Sequence, residues 1–194
     1  MEVYIVRHGQ TVWNAEGRLQ GNQDIQLNEN GKAAARKLAE QLKDVDFDCV
    51  FSSPLVRAYE TACIVCGNRD IPIIKDDRIR EISFGDLEGV HNSEWQQGPY
   101  RFFFTDPGKY IPPKNGESLS EVCERTKEFL EEQVEAKVKE FNRIMIVAHG
   151  AANKGMMCHI EGNSVDNYWG DGLQKNCEAT KFVYNGKKWE RMTC

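Results

Sequence analysis

The feature that most constrains this chain is a repeated unit: a short apolar run, a cluster of small or polar residues, then a segment with helical spacing. Residues 2–6 (Glu2-Val3-Tyr4-Ile5-Val6) run into Arg7-His8-Gly9, residues 48–52 into Ser53-Pro54, and residues 143–148 into His149-Gly150. A further strand is expected over 71–75. Short apolar runs bounded by such clusters read as buried strands, and strands alternating with helices predict an α/β fold. The expected architecture is a three-layer α/β/α sandwich with a mostly parallel central sheet.

The helices announce themselves at their ends. Asn28 reads as the cap of a helix over about 29–43, with Ala34, Leu38 and Leu42 on one face. Ser53 and Pro54 read as the cap and first position of a second helix, which Gly67 stops. Ser118 and Glu121 form a capping box, and the spacing from Leu119 to Phe141 predicts one long helix. Another helix starts near residue 150, and Asn185-Gly186 predicts a β-hairpin over 179–192. Residues 9–27 read as a long loop. Residues 76–117 are the least regular part, rich in aromatics and prolines, with some short helix around 92–104.

A chain of 194 residues is most simply one domain, 1–194, although two small ones remain open on length alone. Net charge is −5, which argues against a nucleic-acid-binding surface and leaves anion recognition to local arginines and backbone donors. No apolar run approaches the roughly 20 residues that span a membrane, and residues 1–8 read as a strand, not a signal peptide. A cytoplasmic protein is expected. The seven cysteines are scattered and odd in number, which suits reduced thiols. Cys63 and Cys66 have metal or redox spacing but lie within a helix, with no second pair; buried helical thiols are the expectation.

In open parallel sheets ligands bind beyond the C-terminal strand ends. There the polar signals gather: Arg7 and His8 after the first strand, Ser52, Ser53 and Arg57 after the second, His149 and Gly150 after the fourth. Two histidines and two arginines brought to one sheet end suit a phosphoryl group. Guanidinium forks match phosphate oxygens, and helix N-termini near Pro54 and Gly150 offer further backbone donors. A neutral imidazole is nucleophilic near neutral pH, so attack by His8 would give a phosphohistidine and divide one displacement into two. His149, Arg7 and Arg57 would hold the equatorial oxygens. The departing alkoxide needs a proton, so a carboxylic acid is expected close by. The pocket calls for no metal and no cofactor.

Taken together, several strings resemble the histidine phosphatase superfamily, in the branch that contains the cofactor-dependent phosphoglycerate mutases. They are Arg7-His8-Gly9-Gln10-Thr11-Val12-Trp13-Asn14, Arg18-Leu19-Gln20-Gly21, Ser52 to Ala62, Glu81 to Gly89, and Ala148-His149-Gly150, in that order along the chain. The resemblance implies a phosphoglycerate mutase-like fold, His8 as the phosphorylated nucleophile and Arg7, Arg57 and His149 as the phosphate pocket. It further implies Asn14 as a phosphoryl contact, Glu81 as proton donor in preference to Glu88, and Gln20 and Gly21 on the substrate side. His91 and His159 match no motif. Two departures touch no catalytic position: Gln10 where many members have Glu, a mild variation, and Gln26-Leu27-Asn28 where many have Pro-Leu-Thr, a structural change because Asn28 still caps the helix.

Mutases of the branch carry a long basic insertion before the long helix. Here residues 90–117 are short and aromatic, with only Arg101, Lys109 and Lys114 as cations, and resemble the phosphatase members. The segment is expected to be a lid or insert over the site, or else plain core beneath a loop. A phosphomonoesterase acting on a small phosphorylated metabolite is expected over a mutase. An inactive phospho-ligand-binding module is a distant third, because all five central residues are kept. The partner is then a small phosphoester, with neither nucleic acid nor membrane, and the enzyme a monomer or homodimer.

Overall fold

The computed structural model describes residues 1–95 and 98–192. Six strands form one sheet: β1 (Glu2–Arg7), β2 (Cys49–Ser52), β3 (Ile73–Lys75), β4 (Arg143–Ala148), β5 (Ala179–Tyr184) and β6 (Trp189–Arg191), in the order β3-β2-β4-β1-β5-β6. The first four are mutually parallel, and β5 and β6 add an antiparallel edge. The predicted mostly parallel sheet is what forms.

Its layering follows from side-chain alternation along each strand. Ile144, Ile146 and Ala148 of β4 join Val3 and Ile5 on one face, where α6 (Leu119–Phe129) and α7 (Gly150–Glu161) supply Phe129, Ala152 and Met156. Met145 and Val147 join Val6 and Val50 on the other, covered by Leu38, Ala58, Ala62 and Val65 of α2 (Glu29–Gln41) and α3 (Val56–Cys66). Both faces are therefore dry, which is why the strands read as continuous apolar runs.

Local caps decide the boundaries. Asn28 accepts from the Gly31 N–H at 2.8 Å and starts α2 as expected; the core-facing alanine is Ala35, not Ala34. The glycine at 31 is required by contact: a Cβ there would lie 2.1 Å from the Gln10 carbonyl oxygen, so α2 packs directly on the backbone that follows β1. The loop expected over 9–27 contains a short helix, α1 (Val12–Glu16), opened by a Thr11–Asn14 capping box and closed by Gly17 at φ 69°. Five residues are too few to show a period. The helix expected from Pro54 starts at Val56, with Leu55 at its cap and no side-chain cap bond. The strand expected over 71–75 is shortened to 73–75. The long helix expected to residue 141 keeps its α form only to Phe129. A π-turn over Leu130–Val134 and a 3-10 turn over Glu135–Lys137 follow, and they still bury Leu130 and Val134. The hairpin forms, with Gly186 at φ 90° in its turn.

Residues 92–95 and 98–105 supply two short helices, α4 (Asn92–Trp95) and α5 (Phe102–Thr105), with a 3-10 turn over Gly98–Arg101 leading into α5. Trp95 and Phe103 pack with Phe84, Tyr110, Tyr168 and Trp169 into a third hydrophobic cluster, above the C-terminal end of the sheet. Cys63 and Cys66 both lie on α3 as free thiols, and burial pushes the Cys66 thiol up to about 11, so it stays protonated and inert.

Candidate active site

Three parallel strand ends and the loop after β3 converge on a cleft of about 140 Å3. Arg7, His8, Asn14, Gln20, Gly21, Arg57, Glu81 and Gly150 line it. His149 lies behind the lining, wholly buried, with its ring 5.1 Å from that of His8.

The His8 imidazole is 2% exposed. Its Nδ1 lies 2.7 Å from the Gly9 carbonyl oxygen. A carbonyl only accepts, so Nδ1 carries the proton and Nε2 the free lone pair. Burial, then the charges of Arg57 and Arg7, hold His8 well below its ordinary value of 6.5. The ring is therefore neutral, as a nucleophile requires. The backbone around it is fixed from behind: Gly9 N–H donates to Thr61 Oγ1 at 3.0 Å, and Asn176 Nδ2 donates to the His8 carbonyl at 2.9 Å.

The two arginines are held by their outer nitrogens. Arg57, wholly buried, donates to the Gly21 and Gln23 carbonyls at 2.8 and 2.7 Å, and Arg7 donates to the Gln174 carbonyl at 2.5 Å. Burial lowers Arg57 to about 10, which leaves it charged at neutral pH. Three buried nitrogens in this group have no hydrogen-bond partner: Nε of Arg7, Nε of Arg57 and Nδ1 of His149. Buried polar atoms are nearly always paired. Three unpaired nitrogens clustered about one neutral histidine describe a receptacle for an oxyanion.

Glu81 sits at the start of α7. Its Oε1 accepts from the N–H groups of Ile82, Ala151 and Ala152 at 3.1, 3.0 and 3.2 Å. At the start of α3 the Val56 N–H donates to Asp24 at 2.6 Å. The two helix N-termini expected to donate to the ligand thus spend these N–H groups on carboxylates of the chain itself. Gly150 remains at the cleft wall, where a Cβ would meet Leu173 at 2.8 Å.

Asn14 Oδ1 accepts from the Thr11 N–H at 3.1 Å, which leaves its amide NH2 for a ligand; Gln20 Oε1 accepts from Thr11 Oγ1 at 2.8 Å. Gly21 adopts φ 51°, and a Cβ there would lie 2.0 Å from Glu88 Oε1. Glu88 is a clip between loops, accepting from Asn22 N–H, Gln23 Nε2 and Phe84 N–H at 2.9, 2.8 and 3.2 Å. His159 pairs with Glu135 away from the cleft, and His91 bonds Ser93 at its rim. Sequence reasoning missed Thr11, Gln174 and Asn176, and placed Ser53 at the strand end only as a helix cap. Thr11 carried a signal in its Thr-x-x-Asn spacing; the loop bearing Gln174 and Asn176 carried none.

The outer half of the cleft is aromatic and aliphatic: Leu19, Ile82, Phe84, Trp95, Phe103, Phe104, Trp169 and Leu173 line it. Phe103 and Phe104 stand 5.0 and 4.8 Å from the Trp169 ring. The aromatic segment is both core and cleft wall. Beyond Arg7 and Arg57 the only cation among the described lining residues is Arg18, already paired with Glu16 at 2.7 Å and with the Gly89 carbonyl at 2.9 Å.

His149 is likewise pushed well below 6.5 by burial, then by Arg57. In the unfolded chain both histidines take up a proton near 6.5, whereas the folded protein resists. Stability therefore falls as pH drops below that value. The melting temperature is expected to decline between about pH 7 and pH 5.5, and a flat profile by scanning calorimetry would contradict two neutral buried rings.

Comparison with known proteins agrees with this geometry. The model of the histidine phosphatase superfamily (branch 1) matches residues 3–193. Phosphoserine phosphatase 1 of Hydrogenobacter thermophilus is 34% identical over 176 residues, covering 89% of this chain and 82% of that protein. A 2,3-bisphosphoglycerate-dependent phosphoglycerate mutase of Cytophaga hutchinsonii is 33% identical over 166 residues, covering 81% and 76%. The solved structure of Bacillus stearothermophilus YhfR matches with a TM-score of 0.89 at 32% identity, covering 98% of this chain and 94% of that one. The chain belongs to the histidine phosphatase superfamily. Within it, the chain is an enzyme that hydrolyses phosphoesters.

Proposed function

We propose that the chain hydrolyses small phosphomonoesters in two steps through a phosphohistidine on His8. His8 Nε2 attacks phosphorus, the ester P–O bond breaks, and Glu81 delivers a proton to the departing oxygen. Water then attacks the phosphohistidine, Glu81 takes its proton, and inorganic phosphate leaves with His8 restored. Arg7, Arg57, His149 and Asn14 hold the equatorial oxygens; Gln20, Gly21 and Gly150 bound the substrate. The observation that carries this reading is the set of three unpaired buried nitrogens about a neutral, correctly protonated His8. No metal and no cofactor is needed.

The aromatic outer wall favours hydrolysis over mutase chemistry. A mutase must bind a second phosphate, and among the described lining residues the one further cation is Arg18, half-exposed and shared with Glu16. Residues 90–117 are read as an insert in a single domain, closing over an apolar leaving group that bears no second anion. A cytoplasmic enzyme fits the six described cysteines, all free thiols. The test is a panel of phosphoesters, with 3-phosphoglycerate and a trace of 2,3-bisphosphoglycerate among them. Phosphate release is expected, fastest for apolar monoesters. Conversion of 3-phosphoglycerate to 2-phosphoglycerate without phosphate release would establish the mutase reading instead.

A further inference from the structure

The second histidine raises a question of tautomer. His149 Nε2 lies 2.7 Å from Ser53 Oγ, and the same Oγ accepts from the Leu55 N–H at 3.3 Å. Ser53 is wholly buried, as is His149, and the His149 Nδ1 has no partner. The neutral ring has one proton to place. If it sits on Nε2, Ser53 accepts twice; its own hydroxyl proton then finds no acceptor, and Nδ1 is left with an unpaired lone pair. If it sits on Nδ1, the Ser53 hydroxyl donates to Nε2 while still accepting from Leu55. Only the Nδ1–H group is then unmet, and a phosphoryl oxygen would meet it. The second arrangement leaves one buried group unsatisfied where the first leaves two.

We propose that Ser53 is a positioning residue that donates to His149 Nε2 and so fixes the His149 proton on Nδ1, making that ring a hydrogen-bond donor to the transferring phosphoryl group. This rests on the phosphohistidine reading above. It gives the two adjacent neutral histidines opposite contacts and different roles. Gly9, a pure acceptor, holds the His8 proton on Nδ1 and frees the Nε2 lone pair for attack. Ser53, acting as donor, takes up the His149 Nε2 lone pair and frees its Nδ1–H for binding. Ser53 touches neither substrate nor the reacting atoms.

The decisive measurement is made on the wild-type protein. Long-range 1H–15N correlation of the uniformly 15N-labelled enzyme separates the ring nitrogens of its four histidines, and His149 is assigned by the signals lost in His149→Gln. With orthovanadate bound, Nδ1 is expected to be the protonated nitrogen and Nε2 the bare one. A proton on Nε2, or on both nitrogens, overturns the proposal. In parallel, Ser53→Ala is expected to lower kcat/KM and orthovanadate affinity by about ten- to a hundredfold, as removal of an orienting partner does elsewhere. Ser53→Thr, which keeps the hydroxyl, recovers most of that loss. Wild-type kcat/KM in a folded Ser53→Ala variant also overturns it. Full activity of His8→Ala would instead bring down the phosphohistidine reading itself, so the two failures are distinguishable.

Discussion

His8→Ala is expected to abolish turnover, with kcat falling at least roughly 10⁴-fold, the scale set by removing a covalent nucleophile. No neighbour can take over. His149 is wholly buried and bonded through Nε2 to Ser53, Arg7 and Arg57 are cations, and the Cys66 thiol is buried in the core at the end of α3. The check has two parts: phosphate release from a good monoester substrate, and the acid-labile phosphate trapped on the protein by rapid quench. Wild type should show both and the variant neither, with an unchanged near-ultraviolet dichroism spectrum. Activity within tenfold of wild type would refute the covalent scheme.

The second large effect is expected at Glu81. Replacing it with Gln keeps an oxygen for the Ala151 and Ala152 N–H groups, so the start of α7 stays intact. What is lost is the transferable proton. For an alkyl phosphate, whose alkoxide leaves only when protonated, kcat should drop by about 10²- to 10⁴-fold. For 4-nitrophenyl phosphate, whose phenolate leaves unaided, dephosphorylation of His8 still needs a base, but formation of the phosphohistidine should be nearly unimpaired. Single-turnover kinetics read that first step directly. Equal losses for the two substrates in that step would remove Glu81 from the role of acid.

Much of this arrangement was legible in the residues because the signals are local. An apolar run, the polar cluster ending it and the helix behind it lie within a few dozen positions, so the sheet and three of its strand ends could be written down from spacing. Glu81 needed the family resemblance, since nothing in its neighbourhood shows that it returns to the start of α7, some seventy residues on. The illegible parts are those where distant backbone meets. Gln174 and Asn176 support Arg7 and His8 only because β5 folds back antiparallel beside β1. Ser53 looked only like a helix cap, and its contact with His149, 96 residues away, left no local trace. The helix after Ser118 has apolar positions that suit one period throughout, yet it shifts to π and 3-10 turns while keeping Leu130 and Val134 inside.

The third hydrophobic cluster has a consequence for descent. Phe84, Trp95, Phe103 and Trp169, which wall the outer cleft, belong to a cluster that shares no member with the two cores packed on the sheet. Those cores hold the strand ends, and the strand ends hold the imidazole and the arginines. Mutations can therefore redraw the wall, residue by residue, without moving the imidazole or the arginines, and selection on the clientele runs separately from selection on the reaction. A lineage built this way can pass from one phosphoester to another through intermediates that never stop working.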